Sequence, residues 1–467
     1  MSTATKKNLI LQSWEETLAN RSGDPAILTP SGEVARQFCD IEKESHQLEQ
    51  RLSGFAPGSV LAIQIGNSAS WPALLIAGFR CGLIPLPLGR HIEKSERDQI
   101  FSTVGAAGLV EMDEADELII SAIPGGRSAR DPLDCEFLKL TSGTTSAPRV
   151  IRFTAGQLVA DCANICETMG IGPTDLNYGV IPFSHSYGFS NLLTPLLCRG
   201  IPLVASDDRM PRAILNGLAA TKATVFPGMP VFFDKLAGIH DSGARPSNLA
   251  ALRLCISAGA PLTKAVGEKF TRSFGVKIHT FYGASECGGI GYDRSDDPVY
   301  EEAFLGEPMK NVGIEFLPAG AICVRSAAVG EGYFPTDDPA SLGNGRFIPG
   351  DLIERTSRGM LLVGRASDVI NVAGRKLNPL EVESQLLGFP GVRQAVVFGI
   401  PSLLRNEEPV ACIAGVVDKK ALHQFAHAHL SPWQMPKDFW FVEEIPTNER
   451  GKISRRELAA KYQKWLL

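Results

Sequence analysis

Nine consecutive residues, Thr141-Ser142-Gly143-Thr144-Thr145-Ser146-Ala147-Pro148-Arg149, bring five hydroxyls, a glycine and a guanidinium together directly after an apolar run at 135–140. A loop of this make-up can turn successive backbone N–H groups and hydroxyls onto one anion, as a backbone nest does. Gly143 permits close approach of a ligand, and Arg149 adds charge-assisted hydrogen bonds. The chemistry this suits is phosphate binding, although a solvated Ser/Thr-rich turn has the same composition. It is not a P-loop, because no Gly-Lys-Ser/Thr follows.

Further along, Tyr282-Gly283-Ala284-Ser285-Glu286 spaces a planar ring, a glycine, a hydroxyl and a carboxylate. That order could stack a base, bond a phosphate and hold Mg2+, or it could be a strand ending in an ordinary turn. Ser257-Ala258-Gly259-Ala260-Pro261 is small enough for a flat ring to lie against backbone. It would also serve as a strand-to-helix turn with Pro261 at the first helical position. Asp351, after Gly350, could take both hydroxyls of a ribose at a strand end, or be a turn aspartate. Lys452, beside Gly451, could reach from a hairpin into another domain's site, or be solvated. His423 and His427 stand four apart on a predicted helix with His429 close by. No acidic partner completes a metal-binding pattern, so these read as surface histidines.

Short apolar runs alternate with helical patterns through the first three quarters of the chain. Strands are predicted at 60–65, 84–88, 177–182, 202–205, 224–226, 252–257 and 277–281, with helices at 71–81, 192–198, 212–220 and 264–274 between them. This rhythm predicts an α/β fold of parallel, helix-covered sheets, in which ligands sit at the carboxyl ends of strands. The loops at 141–149, 257–262 and 282–286 each follow such a run. After about residue 305 the chain becomes rich in glycine and short strands, which predicts a small β-layer. From Asn378 follow a helix (379–387), two strands (392–398 and 410–417), a second helix (419–429) and a basic tail. The division is placed at 365–368, giving domains 1–365 and 366–467.

A chain of 467 residues, 44% hydrophobic and 21% charged, can bury a sizeable core. The net charge of −5 and the lack of basic, aromatic-interleaved runs exclude a nucleic-acid partner. The ten cysteines form no CxxC pair, which points to core thiols in a reducing compartment. No apolar run reaches membrane-spanning length and no apolar leader opens the chain, so stable membrane insertion is not expected and a cytoplasmic location is.

Taken together, the ordered motifs resemble the adenylate-forming superfamily of acyl- and aryl-CoA ligases, peptide-synthesis adenylation domains and luciferase, from Gly58 to Arg455. The resemblance implies two parallel helix-covered sheets with a β-layer and a mobile α+β C-terminal domain that carries the catalytic lysine. It implies ATP, Mg2+ and a thiol from CoA or a phosphopantetheine arm as cofactors and co-substrates, and a small carboxylic acid as substrate. Thr141, Ser142, Gly143, Thr144, Thr145 and Arg149 would grip the β- and γ-phosphates, with Ser257, Ala258, Gly259 and Gly283 at the nucleotide. Tyr282 would stack on adenine, Ser285 would touch the α-phosphate, and Glu286 would hold Mg2+. Asp351 and Arg365 would take the ribose, and Lys452 would bridge carboxylate and α-phosphate. His185, in Pro182-Phe183-Ser184-His185-Ser186-Tyr187-Gly188, matches a mobile ring near the carboxylate, and Gly374 a glycine that lines the pantetheine tunnel.

Ser146, Arg149 and Val150 stand where the family loop usually has Gly, Lys and Gly, and Ser367 stands at the usual Asp or Lys hinge. The stretches at His185, 227–229 and 288–290 are expected to wall the acyl pocket, and apart from Glu286 they hold no acid. The expected activity is therefore AMP-forming ligation of a fatty or aromatic acid to CoA. Transfer to a carrier protein's phosphopantetheine is one alternative, and an acyl-nucleotide binding protein without turnover is another. Glu286, Asp351 and Lys452 are all retained, which speaks for turnover.

Overall fold

The computed structural model describes residues 8–126, 133–141, 149–241, 249–402, 404–446 and 453–465. Its contacts separate two compact units, Met1–Glu315 with Cys323–Ile348, and Phe316–Ile322 with Pro349–Leu467. The expected boundary at 365–368 is a helical turn, Ala366–Asp368, inside the second of these.

In the first unit a large sheet runs in the order Val34–Gln37, Pro25–Leu28, Leu203–Ala205, Asn177–Gly179, Val225–Gly228, Leu254–Ser257, Ile278–Ala284, Gly288–Tyr292, Phe304–Pro308. The pairs from Pro25–Leu28 to Ile278–Ala284 are parallel, and those outside that stretch are antiparallel. Val225–Gly228 and Leu254–Ser257 are buried along their whole length, which is why they read as continuous apolar runs rather than alternating ones. Phe226 of this sheet meets Phe233 of helix Pro230–Asp241 edge-on at 5.4 Å, and Phe233 meets Phe270 of helix Lys264–Phe274 at 5.1 Å. Each such ring pair contributes about 1 kcal/mol beyond its buried area. A second sheet, Ile84–Pro87, Val60–Gln64, Ala106–Met112 and Leu118–Ala122, is parallel except for its last pair.

The hydroxyl-rich segment does not follow a strand of either sheet. It joins the antiparallel strands Phe137–Leu140 and Val150–Phe153, which form a separate three-stranded sheet with Gly332–Phe334. Length decides this, since a parallel return needs a crossover of about a dozen residues or more and only nine are available. Leu138 and Val150, fully buried, anchor the two strands in the core of the second sheet. For the same reason the segment at 282–286 is not a strand-terminating loop. Strand Ile278–Ala284 runs on through Tyr282 and turns within three residues into Gly288–Tyr292. Pro261 does not open a helix either, because Lys264–Phe274 starts from Thr263, whose hydroxyl accepts from the Val266 amide at 3.4 Å.

In the second unit, strands Arg375–Leu377, Ile370–Val372, Asn406–Gly415 and Val392–Ser402 pair antiparallel, and Asp438–Val442 adds parallel to Asn406–Gly415. Alternate residues of Val392–Ser402 serve two cores. Ala395 and Val397 pack with helices Pro379–Leu387 and Lys419–His429, and Val396, Phe398 and Ile400 with helix Arg455–Trp465. Among the described residues no helix is long and apolar enough to cross a membrane.

Candidate active site

Ser285 and Glu286 sit at the turn of the hairpin Ile278–Ala284/Gly288–Tyr292. Gly288 leaves that turn with φ +69°, and a Cβ there would overlap the Asp161 carboxylate. Asp161 is buried on helix Ala155–Met169, and its Oδ1 accepts from the Gly289 amide at 3.0 Å. The helix is itself started by a capping box between Thr154 and Gln157. A well-nucleated helix thus fixes the turn that carries the carboxylate. Gly289 is filled in turn by Met309 and Phe281, and Ile290 is fully buried. The space beside Gly288 and Gly289 is therefore taken by the protein's own side chains.

Glu286 Oε1 accepts a 3.0 Å hydrogen bond from the Tyr333 hydroxyl, and its carbonyl accepts from the Gly330 amide at 2.9 Å. Burial pushes the Tyr333 hydroxyl pKa up and the Glu286 charge adds to the rise, so the phenol stays a proton donor at neutral pH. The Arg149 guanidinium lies 4.0 Å from the centre of the Tyr333 ring, and its Nη2 donates to the Thr336 carbonyl at 3.4 Å. Thr141 closes the base of the hydroxyl-rich segment, with amide and hydroxyl both donating to the Arg149 carbonyl at 3.1 Å. A single carboxylate fits Mg2+, which is held through one or two carboxylates plus phosphates and water rather than by a protein cage. Among the described residues no group of three His, Cys, Asp or Glu could form such a cage.

Beside Glu286, the Ser186 hydroxyl donates to Ser285 Oγ at 3.0 Å. His185 caps the short turn Ser186–Gly188, its Nδ1 accepting from the Tyr187 amide at 3.2 Å, and a π-helical turn, Phe189–Leu193, follows. The buried Tyr187 hydroxyl donates to the Ile256 carbonyl at 3.0 Å. Gly228, Ser257 and Thr280 are in register across three parallel strands, so the segments after them emerge on one edge of the sheet. Ser257 is 1% exposed and its Oγ has no hydrogen-bond partner among the described residues. Ala258 donates to the Gly228 carbonyl at 3.2 Å. Gly259, with φ +88°, is exposed, and the nearest atom to a Cβ there is Met229 Cγ at 3.9 Å. The half-exposed Tyr282 and the Gly283 next to it lie in the adjoining strand.

In the second unit Asp351 begins a strand rather than ending one. It faces Arg365 across a hairpin, with Arg365 Nε donating to Asp351 Oδ1 at 2.7 Å. Gly374 (φ +87°) and Ala373 (φ +52°) make the tight turn between Ile370–Val372 and Arg375–Leu377, so glycine is required there by backbone conformation. Ser367 Oγ donates to Asp368, whose other oxygen pairs with Arg455 at 2.7 Å, and Arg455 also bonds Glu383 at 2.8 Å. Ser142, Gly143, Thr144, Thr145 and Lys452 lie outside the described residues.

Sequence reasoning missed Tyr333, Ser186, Asp161 and Lys139. Only Lys139 carries a visible signal, as a lone cation in the apolar run Phe137–Leu140. It is 5% exposed, with its ammonium over the rings of Phe153 at 4.6 Å and Phe189 at 5.6 Å. Burial lowers its pKa, and the Asp161, Cys287 and Glu286 charges oppose that shift.

A family model described as AMP-binding enzyme matches residues 15–334, and one described as AMP-binding enzyme C-terminal domain matches 381–452. A probable CoA ligase of Humulus lupulus is 24% identical, over 97% of this chain and 96% of its own. A 3,4-dihydroxybenzoate–aryl-carrier protein ligase of Bacillus anthracis is 26% identical, over 69% of this chain and 73% of its own. The crystal structure of ATP-bound MatB from Rhodopseudomonas palustris superposes with a TM-score of 0.85 at 21% identity, covering 98% of this chain and 100% of that one. That likeness extends to the whole α/β fold.

Proposed function

We infer that this chain, which belongs to the AMP-binding enzyme family of adenylate-forming ligases, activates an apolar carboxylic acid with ATP and passes the acyl group to CoA. A carboxylate is a poor electrophile. Attack of its oxygen on the α-phosphorus of ATP, with departure of pyrophosphate, makes a mixed anhydride whose AMP a thiol sulfur then displaces. Two anions must meet in the first step, so the site has to supply positive charge and aligned donors.

The observation that carries this reading is the joined group of Arg149, Tyr333 and Glu286 beside the paired hydroxyls of Ser186 and Ser285. It unites the end of an anion-binding segment with a metal-binding carboxylate. Glu286 would hold Mg2+, which when bound supplies Lewis-acid charge on phosphate oxygens. We assign the segment 141–149 to the β- and γ-phosphates, Tyr282 with Ser257, Ala258 and Gly259 to the base, and Ser285 to the α-phosphate. Asp351 and Arg365 are assigned to the ribose, His185 to the vicinity of the carboxylate, Gly374 to the pantetheine arm and Lys452 to the bridge between the reacting anions. The turn Ala366–Asp368 is the proposed hinge for domain rotation between the half-reactions.

None of the residues at 227–229 is charged, which supports an apolar fatty or aromatic acid. Exchange of pyrophosphate into ATP, driven by a panel of acids, tests the assignment. We expect exchange with an aliphatic or aromatic member and AMP release on adding CoA. Exchange with no acid leaves a nucleotide-binding protein without turnover, and acyl transfer to a carrier protein but not to CoA changes the acceptor.

A further inference from the structure

We propose that Tyr333 is a positioning residue for Glu286, and that Arg149 and Tyr333 are a matched pair tying the start of strand Val150–Phe153 to the metal-binding carboxylate. The proposal rests on the reading of Glu286 as a magnesium ligand, and it assigns a role to a residue outside the motifs singled out in the sequence. Tyr333 stands in strand Gly332–Phe334, directly opposite Ile151 of strand Val150–Phe153. Arg149 lies two residues before Ile151 and so shares its face, and its guanidinium stacks on the Tyr333 ring at 4.0 Å. The other end of the same ring reaches the carboxylate, with the hydroxyl 3.0 Å from Glu286 Oε1. One rigid phenol therefore spans two segments 137 residues apart in sequence, since 286 − 149 = 137.

The chemistry of each contact suits its partner. A glutamate has three rotatable side-chain bonds, and a carboxylate that must meet a metal and a phosphate together gains from having one oxygen already held. Tyr333 does this as a neutral donor. A phenol carries no charge of its own, so the carboxylate retains its full negative charge for a cation. A lysine or arginine bonded at that oxygen would hold it as well but would compete with the metal for its charge. Arg149 is placed on the face of the ring, where a planar guanidinium stacks and a lysine ammonium lacks the plane to do so. Arg149 thus has a planar stacking partner in the tyrosine beneath it.

Calorimetric titration of ATP into the full chain, in excess MgCl2 and separately in EDTA, reads this directly. Y333F keeps the ring, the stack and the strand pairing and removes one oxygen, and thermal melting confirms that it is folded. We expect its affinity for Mg·ATP to fall about 10-fold, the usual effect of losing a partner of a metal ligand, with metal-free ATP bound as by wild type. In an E286Q background the same substitution should add no further loss, because its effect passes through Glu286. Equal weakening with and without Mg2+, no weakening in Mg2+, or losses that add in the double variant would each overturn the proposal. A wild-type chain that binds ATP no better with Mg2+ than in EDTA is a distinct result. It removes the magnesium reading of Glu286, and this proposal with it.

Discussion

Lys139 occupies a position where the strand Phe137–Leu140 otherwise turns apolar side chains into the core, and its ammonium is accommodated by the rings of Phe153 and Phe189. Cation–π contact offsets only part of the desolvation, which is why burial lowers its pKa. The sign of the pH dependence follows. Below the ordinary value of 10.5 the unfolded chain binds more protons than the folded one, so this residue's contribution to stability rises as pH rises toward 10.5. As pH falls through the lowered folded value that contribution is lost. Lys139→Met, which keeps the length of the side chain without its charge, should stabilise the fold at pH 7, because the lowered pKa means that the ammonium is held less well in the fold than in water. The gain should shrink as pH approaches 10, and urea melts at pH 7 and 10 measure both. A destabilised variant at neutral pH would show that the ammonium is held by more than the two rings.

At the scale of elements, the site depends on short connections that force antiparallel returns. The three-residue turn after Ile278–Ala284 works only because Gly288 adopts φ +69° and leaves room for Asp161 of helix Ala155–Met169. The bond from the Gly289 amide to Asp161 then fixes the hairpin against the helix. Gly288→Ala would meet both a left-handed backbone and an occupied space, and should cost about 2–4 kcal/mol of stability. The denaturant midpoint checks this, together with loss of nucleotide binding as the Glu286 turn shifts. An unchanged midpoint would mean that the turn is not anchored by Asp161. Val150 illustrates the same principle from the other side of the site. A glycine would be usual there, yet as a fully buried strand residue paired with Leu140 and Phe334 it is where a β-branched side chain fits best.

At the scale of the molecule, each unit has its own core, and the second is built on both faces of one sheet. Such a unit can keep its structure while serving a reaction whose two steps need different groups. The proposed bridge, Lys452, would serve the first step alone, because the second step is attack of a thiol on the acyl carbon of acyl-AMP and not of a carboxylate anion on a phosphate. Lys452→Ala should therefore abolish pyrophosphate exchange by about 100-fold or more, the scale of losing one preorganised charge at a transition state. Thiol transfer from supplied acyl-AMP should stay within about threefold of wild type. Equal loss in both half-reactions would contradict the role.

The sequence by itself determined the class of fold, the order of the motifs and the family, because apolar periodicity and loop composition are local properties of the chain. Helices Lys264–Phe274, Pro379–Leu387 and Lys419–His429 begin and end where capping residues and periodicity place them. Tyr282, Ser285, Glu286 and Asp351 stood out because glycines flank them at characteristic spacing. What only the tertiary structure decided is which distant residues meet. Tyr333 reaches Glu286, Ser186 reaches Ser285, and Asp161 fills the space beside Gly288, across separations of 47, 99 and 127 residues (333 − 286, 285 − 186 and 288 − 161). No periodicity records such encounters. They arise from strand register and from the packing of a helix against a turn, and both exist only once the sheets have formed.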